Sequence, residues 1–256
     1  MSADVLRIAA VGDMHCRKTS AGDLQPMFKE IAACADILLL CGDLTDNGTV
    51  EEAHVLLKEF PAGMKMPILA VLGNHDYESG KADELKQILT DGGISVLDGE
   101  SVEINGVGFA GTKGFAGGFG KSMLGPWGES AIKLFVHEAV DEALKLEAAL
   151  ARLHSDIRVC MLHYSPIQET VEGERRELYA FLGSSRLEEP INRHSVSVVF
   201  HGHAHVGTPE GHSATGIPVF NVAMPLLRAR VPEHNKGFRL YELNLKEATD
   251  AAKDAA

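Results

Sequence analysis

Three times within its first 76 residues the chain runs through an apolar stretch, stops at a glycine and turns polar. Val5–Val11 leads to Gly12-Asp13-Met14-His15, and Ile37–Cys41 leads to Gly42-Asp43-Leu44-Thr45-Asp46. The run 67–72 leads to Gly73-Asn74-His75-Asp76. Each run is short and apolar throughout, the pattern of a strand covered on both faces. Between them, 25–35 carries Met27, Ile31 and Cys34 at helical spacing. Thr49 caps a second helix to about residue 60, with Glu51 and Glu52 in its first turn, where the helix dipole favours acids. Strand, polar corner and helix in alternation predict a parallel sheet with crossover helices. Ligands of such sheets sit beyond the carboxyl ends of the strands, so the three corners face one edge.

The pattern then loosens. Residues 83–90 read as helix and 94–97 as a short strand. Residues 101–104 and 107–110 flank Asn105-Gly106, a pair suited to a type I′ turn, so antiparallel pairing is expected from here. The stretch 111–128 holds seven glycines together with Lys113, Phe115, Phe119, Lys121 and Trp127. It is too long and too glycine-rich for a plain connector. Residues 129–154 form the longest helical pattern, and 157–162 is a strand ending at His163. Residues 166–192 form a charged surface insertion. The strands 217–222 and 237–245 close the chain, and 246–256 is a polar, alanine-rich tail. A single domain over 1–256 with a mixed, double-layered sheet accounts for this order.

One further corner stands out. The apolar run 196–200 enters His201-Gly202-His203-Ala204-His205, and three imidazoles at alternating positions share a face if the strand runs on. Five strand ends thus offer Asp13, His15, Asp43, Asn74, His163, His203 and His205, with His75 beside Asn74. Mixed nitrogen and oxygen donors suit borderline divalent ions such as Zn, Mn, Fe, Co or Ni better than calcium or a pure magnesium cage. The donors exceed one tetrahedral site and suffice for two ions about 3.5–4 Å apart sharing a carboxylate.

Composition narrows the partners. With 24 Lys and Arg against 36 Asp and Glu, the net charge of −12 argues against a surface built to grip nucleic-acid backbone or an anionic membrane. Cys16, Cys34, Cys41 and Cys160 have no zinc-ribbon or redox spacing, which fits reduced thiols and a cytoplasmic protein. No signal-peptide pattern is expected at the start, and no apolar run approaches the roughly 20 residues that span a bilayer.

Taken in order, Asp13-Met14-His15, Gly42-Asp43-Leu44-Thr45-Asp46, Gly73-Asn74-His75-Asp76, the lone His163, and Gly202-His203-Ala204-His205 resemble the full signature of the calcineurin-like metallophosphoesterase superfamily. The intervals fit too, at 30 residues from Asp13 to Asp43 and 31 from Asp43 to Asn74. Five ordered motifs are specific where one is weak. The resemblance implies an α/β fold, a four-layer α/β/β/α sandwich of two mixed sheets flanked by helices. A dinuclear metal site would lie at its C-terminal strand edge. Asp13, His15 and His205 would hold one ion, Asn74, His163 and His203 the other, and Asp43 would bridge them. A hydroxide between the ions would attack phosphorus. His75 would contact the phosphate with Asn74 and protonate the leaving oxygen, its ring oriented by the carboxylate of Asp46 or Asp76.

The same motifs sort the branches. No tyrosine stands at 44–48, as the purple acid phosphatases require. Asp46-Asn47-Gly48 and Asp76 depart from the protein Ser/Thr phosphatases. The His-containing first motif with Gly-Asn-His-Asp is similar to the phosphodiesterase side. The implied function is hydrolysis of a small-molecule or nucleotide phosphodiester or phosphomonoester, diesters favoured. A silent metal-binding scaffold and a nuclease on polynucleotides are the alternatives. Phe119 and Trp127 are candidate walls for the substrate. Arg175-Arg176 and Arg228/Arg230 are placed to meet a phosphate or simply to lie on a solvated face. His201 matches no ligand of the family and is expected to support the site or fill the core.

Overall fold

The computed structural model describes residues 5–231 and 236–246. The opening third forms as its pattern predicts: β1 (Val5–Val11), α1 (Gln25–Cys34), β2 (Ile37–Cys41), α2 (Val50–Glu59), β3 (Ile68–Val71), α3 (Ala82–Asp91) and β4 (Ser95–Val96). α2 begins with a capping box, in which Thr49 and Glu52 satisfy each other's end of the helix. β5 (Glu100–Ile104) and β6 (Val107–Gly111) form the hairpin, with Asn105 and Gly106 at φ of 54° and 81°, the left-handed pair of a type I′ turn.

After that hairpin the chain departs from the expectation. It returns to parallel pairing, because the long helix α4 (Ser130–Ala151) carries it back beside β6 as β7 (Ile157–Met161). Two short helices, α5 (Tyr179–Leu182) and α6 (Glu188–Arg193), lie in the insertion before β8 (Val198–His201). β9 (Glu210–His212), β10 (Pro218–Asn221), α7 (Met224–Arg230) and β11 (Arg239–Asn244) follow. The tail beyond 246 lies outside the described residues.

Two mixed sheets result, of order β11-β1-β2-β3-β4 and β5-β6-β7-β8-β10-β9. Only their edges are antiparallel, β11 in the first and β5 and β9 in the second. Side-chain alternation explains the stacking. Ile8, Ala10, Leu39, Cys41 and Val71 of the first sheet pack with Phe109, Val159, Met161 and Phe200 of the second. The opposite face of the first sheet, through Ala9, Val11, Leu38 and Leu40, packs on Phe28, Leu56 and Leu85 of α1, α2 and α3. The outer face of the second, through Cys160 and Val199, packs on Leu146 and Leu150 of α4. The four layers are therefore α/β/β/α.

The sheets are tied at one end. Gly12 N–H donates to Val222 O and Met224 N–H to Gly12 O, both at 2.9 Å, joining the end of β1 to the end of β10. Asp13 N–H reaches Gly42 O at 2.9 Å, and Gly202 N–H reaches His163 O at 3.1 Å. The polar corners of both sheets meet at this edge.

Candidate metal centre

The backbone at this edge is strained. Six non-glycine residues among those described have positive φ, and four of them are Asp13 (56°), His15 (44°), Asp43 (48°) and His203 (71°). The left-handed region costs an L-residue roughly 1–2 kcal/mol, and such strain gathers at functional sites. Two glycines allow the close approach. A Cβ on Gly202 would stand 2.3 Å from Asp13 Oδ2, and one on Gly73 would stand 2.2 Å from Asp43 Oδ1.

Three sets of donor atoms lie within 4.8 Å of one another: Asp13, His15 and His205; Asp43, His163 and His203; and His15, Asp43 and His75. Asn74 Oδ1 is 2.9 Å from His163 Nε2. The corners of both sheets thus bring together all seven expected ligands and His75.

Three of the imidazoles are oriented by one nitrogen. His163 Nδ1 is 3.1 Å from Cys41 O, His203 Nε2 is 3.1 Å from Phe181 O, and His75 Nδ1 is 2.7 Å from Asp46 O. A main-chain carbonyl accepts only from an N–H, so the other nitrogen of each ring remains for the centre, as in the outer shell of many metal sites. His163 is telling. Burial, then the neighbouring His203, holds it well below the ordinary histidine range, so it is neutral and has one N–H. It nevertheless lies between two carbonyl oxygens, Cys41 O and Asn74 Oδ1, and a cation reconciles the second contact. His15 is half-buried, and neither ring nitrogen has a hydrogen-bond partner. An orphaned imidazole beside two carboxylates fits a metal ligand.

His201 is the contrast. It is fully buried, but Nδ1 lies 2.8 Å from Gly202 O and Nε2 lies 2.8 Å from the Thr170 hydroxyl, which can donate. Both nitrogens are satisfied, burial pushes the ring down to about 4, and β8 ends here. The three histidines do not share a strand face, and His201 is a core residue.

The carboxylates carry the strain in charge. Burial raises Asp43 to about 9, with the nearby Asp13 and Asp76 adding to the rise. Burial also pushes Asp13 upward. The His205 Nε2–H bond at 2.9 Å, the charge of His205 and the main-chain N–H of His203 outweigh it and hold Asp13 to about 2. The donor set suits divalent cations, whose charge would reverse the rise at Asp43.

The expected orientation of His75 requires a correction. The main-chain carbonyl of Asp46 engages it, and neither acidic side chain does. The Asp46 carboxylate accepts from Arg17 Nε at 2.9 Å and lies 3.4 Å from His15 Nδ1. Asp76 is fully buried and accepts from the N–H groups of Leu44, Thr45 and Gly73 and from the Thr45 hydroxyl, at 2.6–3.1 Å. Asp76 therefore fastens the second corner to the third.

A sequence model of the calcineurin-like phosphoesterases matches residues 6–207. The chain belongs to that family. This metallophosphoesterase is accordingly a hydrolase of phosphoesters, and its candidate ligand groups are those a divalent-metal enzyme needs. No curated protein matches it. Its fold is similar to that of a phosphopantetheinyl hydrolase, PptH, from Mycobacterium tuberculosis, with TM-score 0.63 and 16% identity over 91% of this chain and 95% of that one. It is also similar to GAP50, the anchor in the inner membrane complex of Plasmodium, with TM-score 0.57 and 13% identity over 94% and 81%. A third is purple acid phosphatase PPD1 from yellow lupin seeds, with TM-score 0.51 and 16% identity over 80% of this chain and 38% of that one. At these identities the likeness is one of fold.

The metallophosphoesterase places the two candidate substrate walls differently. Phe119 is buried and lines a cavity of about 690 Å³. Trp127 is 76% exposed and is absent from that lining. Sequence reasoning did not find Tyr164, whose ring lies 4.4 Å from that of His203, nor the carbonyls of Cys41 and Phe181. Lys113 lies among the rings of Tyr77, Phe115 and Tyr164, at 4.8–5.6 Å, with its ammonium on Gly114 O at 2.8 Å. No helix among the described residues is long and apolar enough to cross a membrane.

Proposed function

We propose that this chain is a dinuclear phosphoesterase that hydrolyses a small-molecule or nucleotide phosphoester, with diesters preferred. The carrying observation is the pinned His75. Its Nδ1 is held by Asp46 O at 2.7 Å, its main-chain N–H donates to Asp43 Oδ1 at 2.9 Å, and its other ring nitrogen is left beside the ligand set. That is the arrangement of a general acid fixed next to a metal centre.

Asp13, His15 and His205 would hold one ion, Asn74, His163 and His203 the other, with Asp43 shared. The oxygen donors of Asp13, Asp43 and Asn74 suit Mn, the metal we assign, and the imidazoles suit Fe, Zn, Ni or Co as alternatives. When bound, two such ions supply Lewis-acid charge for phosphoryl oxygens and a nucleophilic water near neutral pH. The residues do the rest. Main-chain carbonyls of Cys41, Phe181 and Asp46 orient His163, His203 and His75, and His75 would hold a proton at the nitrogen away from Asp46 for the leaving oxygen.

Charge supports the preference for diesters. A monoester brings a dianion, and two side-chain cations at the ligand corners, Arg17 and Lys113, are already engaged. Arg17 is paired with Asp46, and Lys113 is turned to Gly114 O within its aromatic cage. A diester brings a single charge. All four thiols are free, three of them buried, which supports a reducing compartment such as the cytoplasm.

The test compares bis-p-nitrophenyl phosphate with p-nitrophenyl phosphate in the presence of Mn. A higher kcat/KM for the diester is expected. A clear monoester preference would reverse the assignment, and no turnover of either would favour the silent-scaffold alternative.

A further inference from the structure

The cavity beside the centre is not used by any metal ligand. It has a volume of about 690 Å³, and its lining includes Phe119, Ser122, Gln168, Glu172, Arg176 and Tyr179. The aromatic side is rigid. Phe119 is 5% exposed and packs with Val171, Leu182 and Ala204, and Tyr179 packs against the same cluster. Main-chain bonds stitch the glycine-rich loop to the insertion: Gly117 N–H to Ala180 O at 2.7 Å and Gly118 N–H to Gly183 O at 2.9 Å.

Two contacts put this cavity next to the candidate ligands. Ala180 belongs to its lining, and the following residue, Phe181, accepts from His203 Nε2 at 3.1 Å. Phe119 packs on Ala204, which lies between His203 and His205. A group attached to phosphorus at the centre has this cavity as its neighbour.

We propose that the cavity holds the alcohol portion of the substrate and is built for an aromatic ring that carries a second acidic group. This rests on the phosphoesterase reading above. Tyr179, partly exposed in the lining, offers an aromatic surface to a planar ring, and the buried Phe119 backs the apolar wall. Gln168 brings both a donor and an acceptor for the ring's polar edge, and Glu172 accepts from a hydroxyl or an amine. Arg176 selects the acidic group. Its side chain is exposed and makes no ion pair or hydrogen bond among the described residues, whereas Arg17 is held by Asp46 and Arg193 by Glu147. A free guanidinium takes two oxygens of a phosphate or carboxylate at once.

The experiment is calorimetric titration of the Mn-loaded full chain with adenosine 5′-monophosphate and adenosine 3′,5′-bisphosphate, the 5′-phosphate being taken by the centre in both. The bisphosphate is expected to bind at least tenfold more tightly. Arg176→Ala should remove that margin and leave the monophosphate within twofold of wild type. Tyr179→Ala should weaken both ligands at least fivefold, and an unchanged melting curve would show that it is folded. Equal affinity for the two nucleotides, or a margin that survives Arg176→Ala, overturns the proposal. Turnover of bis-p-nitrophenyl phosphate with Mn is measured on the same samples. Its absence together with that of p-nitrophenyl phosphate turnover would sink the phosphoesterase reading, while the binding margin still decides the chemistry of the cavity.

Discussion

Replacing Asp43 by Asn should stabilise the metal-free protein while destroying its function. In the unfolded chain Asp43 is ionised above its ordinary 3.8, but in the metal-free fold it is raised to about 9 by burial and by Asp13 and Asp76. An acid with a raised folded value costs stability, and the cost grows as pH climbs from the unfolded to the folded value. At pH 7 it is about 4 kcal/mol. Asn keeps an oxygen for the His75 N–H and removes the charge, yet leaves an amide in a buried place. Recovery of about half, about 2 kcal/mol, corresponds to a melting temperature roughly 4–8 °C higher for a chain of this size. Thermal unfolding followed by circular dichroism, in chelator and then in Mn, reads this directly. In chelator at pH 7 the variant should melt above wild type, and the gap should shrink at pH 5. In Mn the order should reverse, because only wild type gains the stabilisation that tight binding supplies. A variant that melts at or below wild type in chelator would refute the reasoning.

Other outcomes follow from the same geometry. His75→Asn should lower kcat about 10²–10⁴-fold and leave the bound metal, counted by mass spectrometry, unchanged. Gly202→Ala pushes a methyl against Asp13 Oδ2 and Cys41 O, so metal content and melting temperature should both fall, the latter by about 1–3 kcal/mol of stability. His205 is raised by its bond to Asp13, so it stabilises the metal-free fold below pH 6.5 and loses that contribution as pH rises. His205→Gln should therefore lower the melting temperature in chelator at pH 6 and leave it unchanged at pH 9.

The sequence was most legible where one local rule decided the outcome. β1, α1, β2 and α2 fall within a residue or two of their apolar and capping patterns, and Asn105-Gly106 makes the turn its pair demands. The polar corners at 12–15, 42–46, 73–76 and 202–205 were legible because each carries a glycine at a strand end, and His163 because it closes a strand. Three features were not. β9 is only Glu210-Gly211-His212, too short for a period, and exists because β10 offers it an edge. The parallel return of β7 beside β6 depends on where α4 packs, which residue order does not encode. The role of Asp76 rests on N–H groups about 30 residues away, brought near only by the fold. Likewise the positive φ of Asp13, His15, Asp43 and His203 is imposed by the meeting of the two sheets, since none of these residue types demands it.

The bond from His205 to Asp13 spans 192 residues. Neither of the two candidate ion sites can be assembled by the first sheet alone, because each needs a histidine from the corner after β8. A nascent chain emerging from the ribosome would therefore hold Asp13, Asp43 and Asn74 exposed and incomplete until more than 200 residues had been made. With the proposed ligand set, metal loading would be a late step of synthesis, and a prematurely terminated product would carry the acids of the site without the histidines after β8.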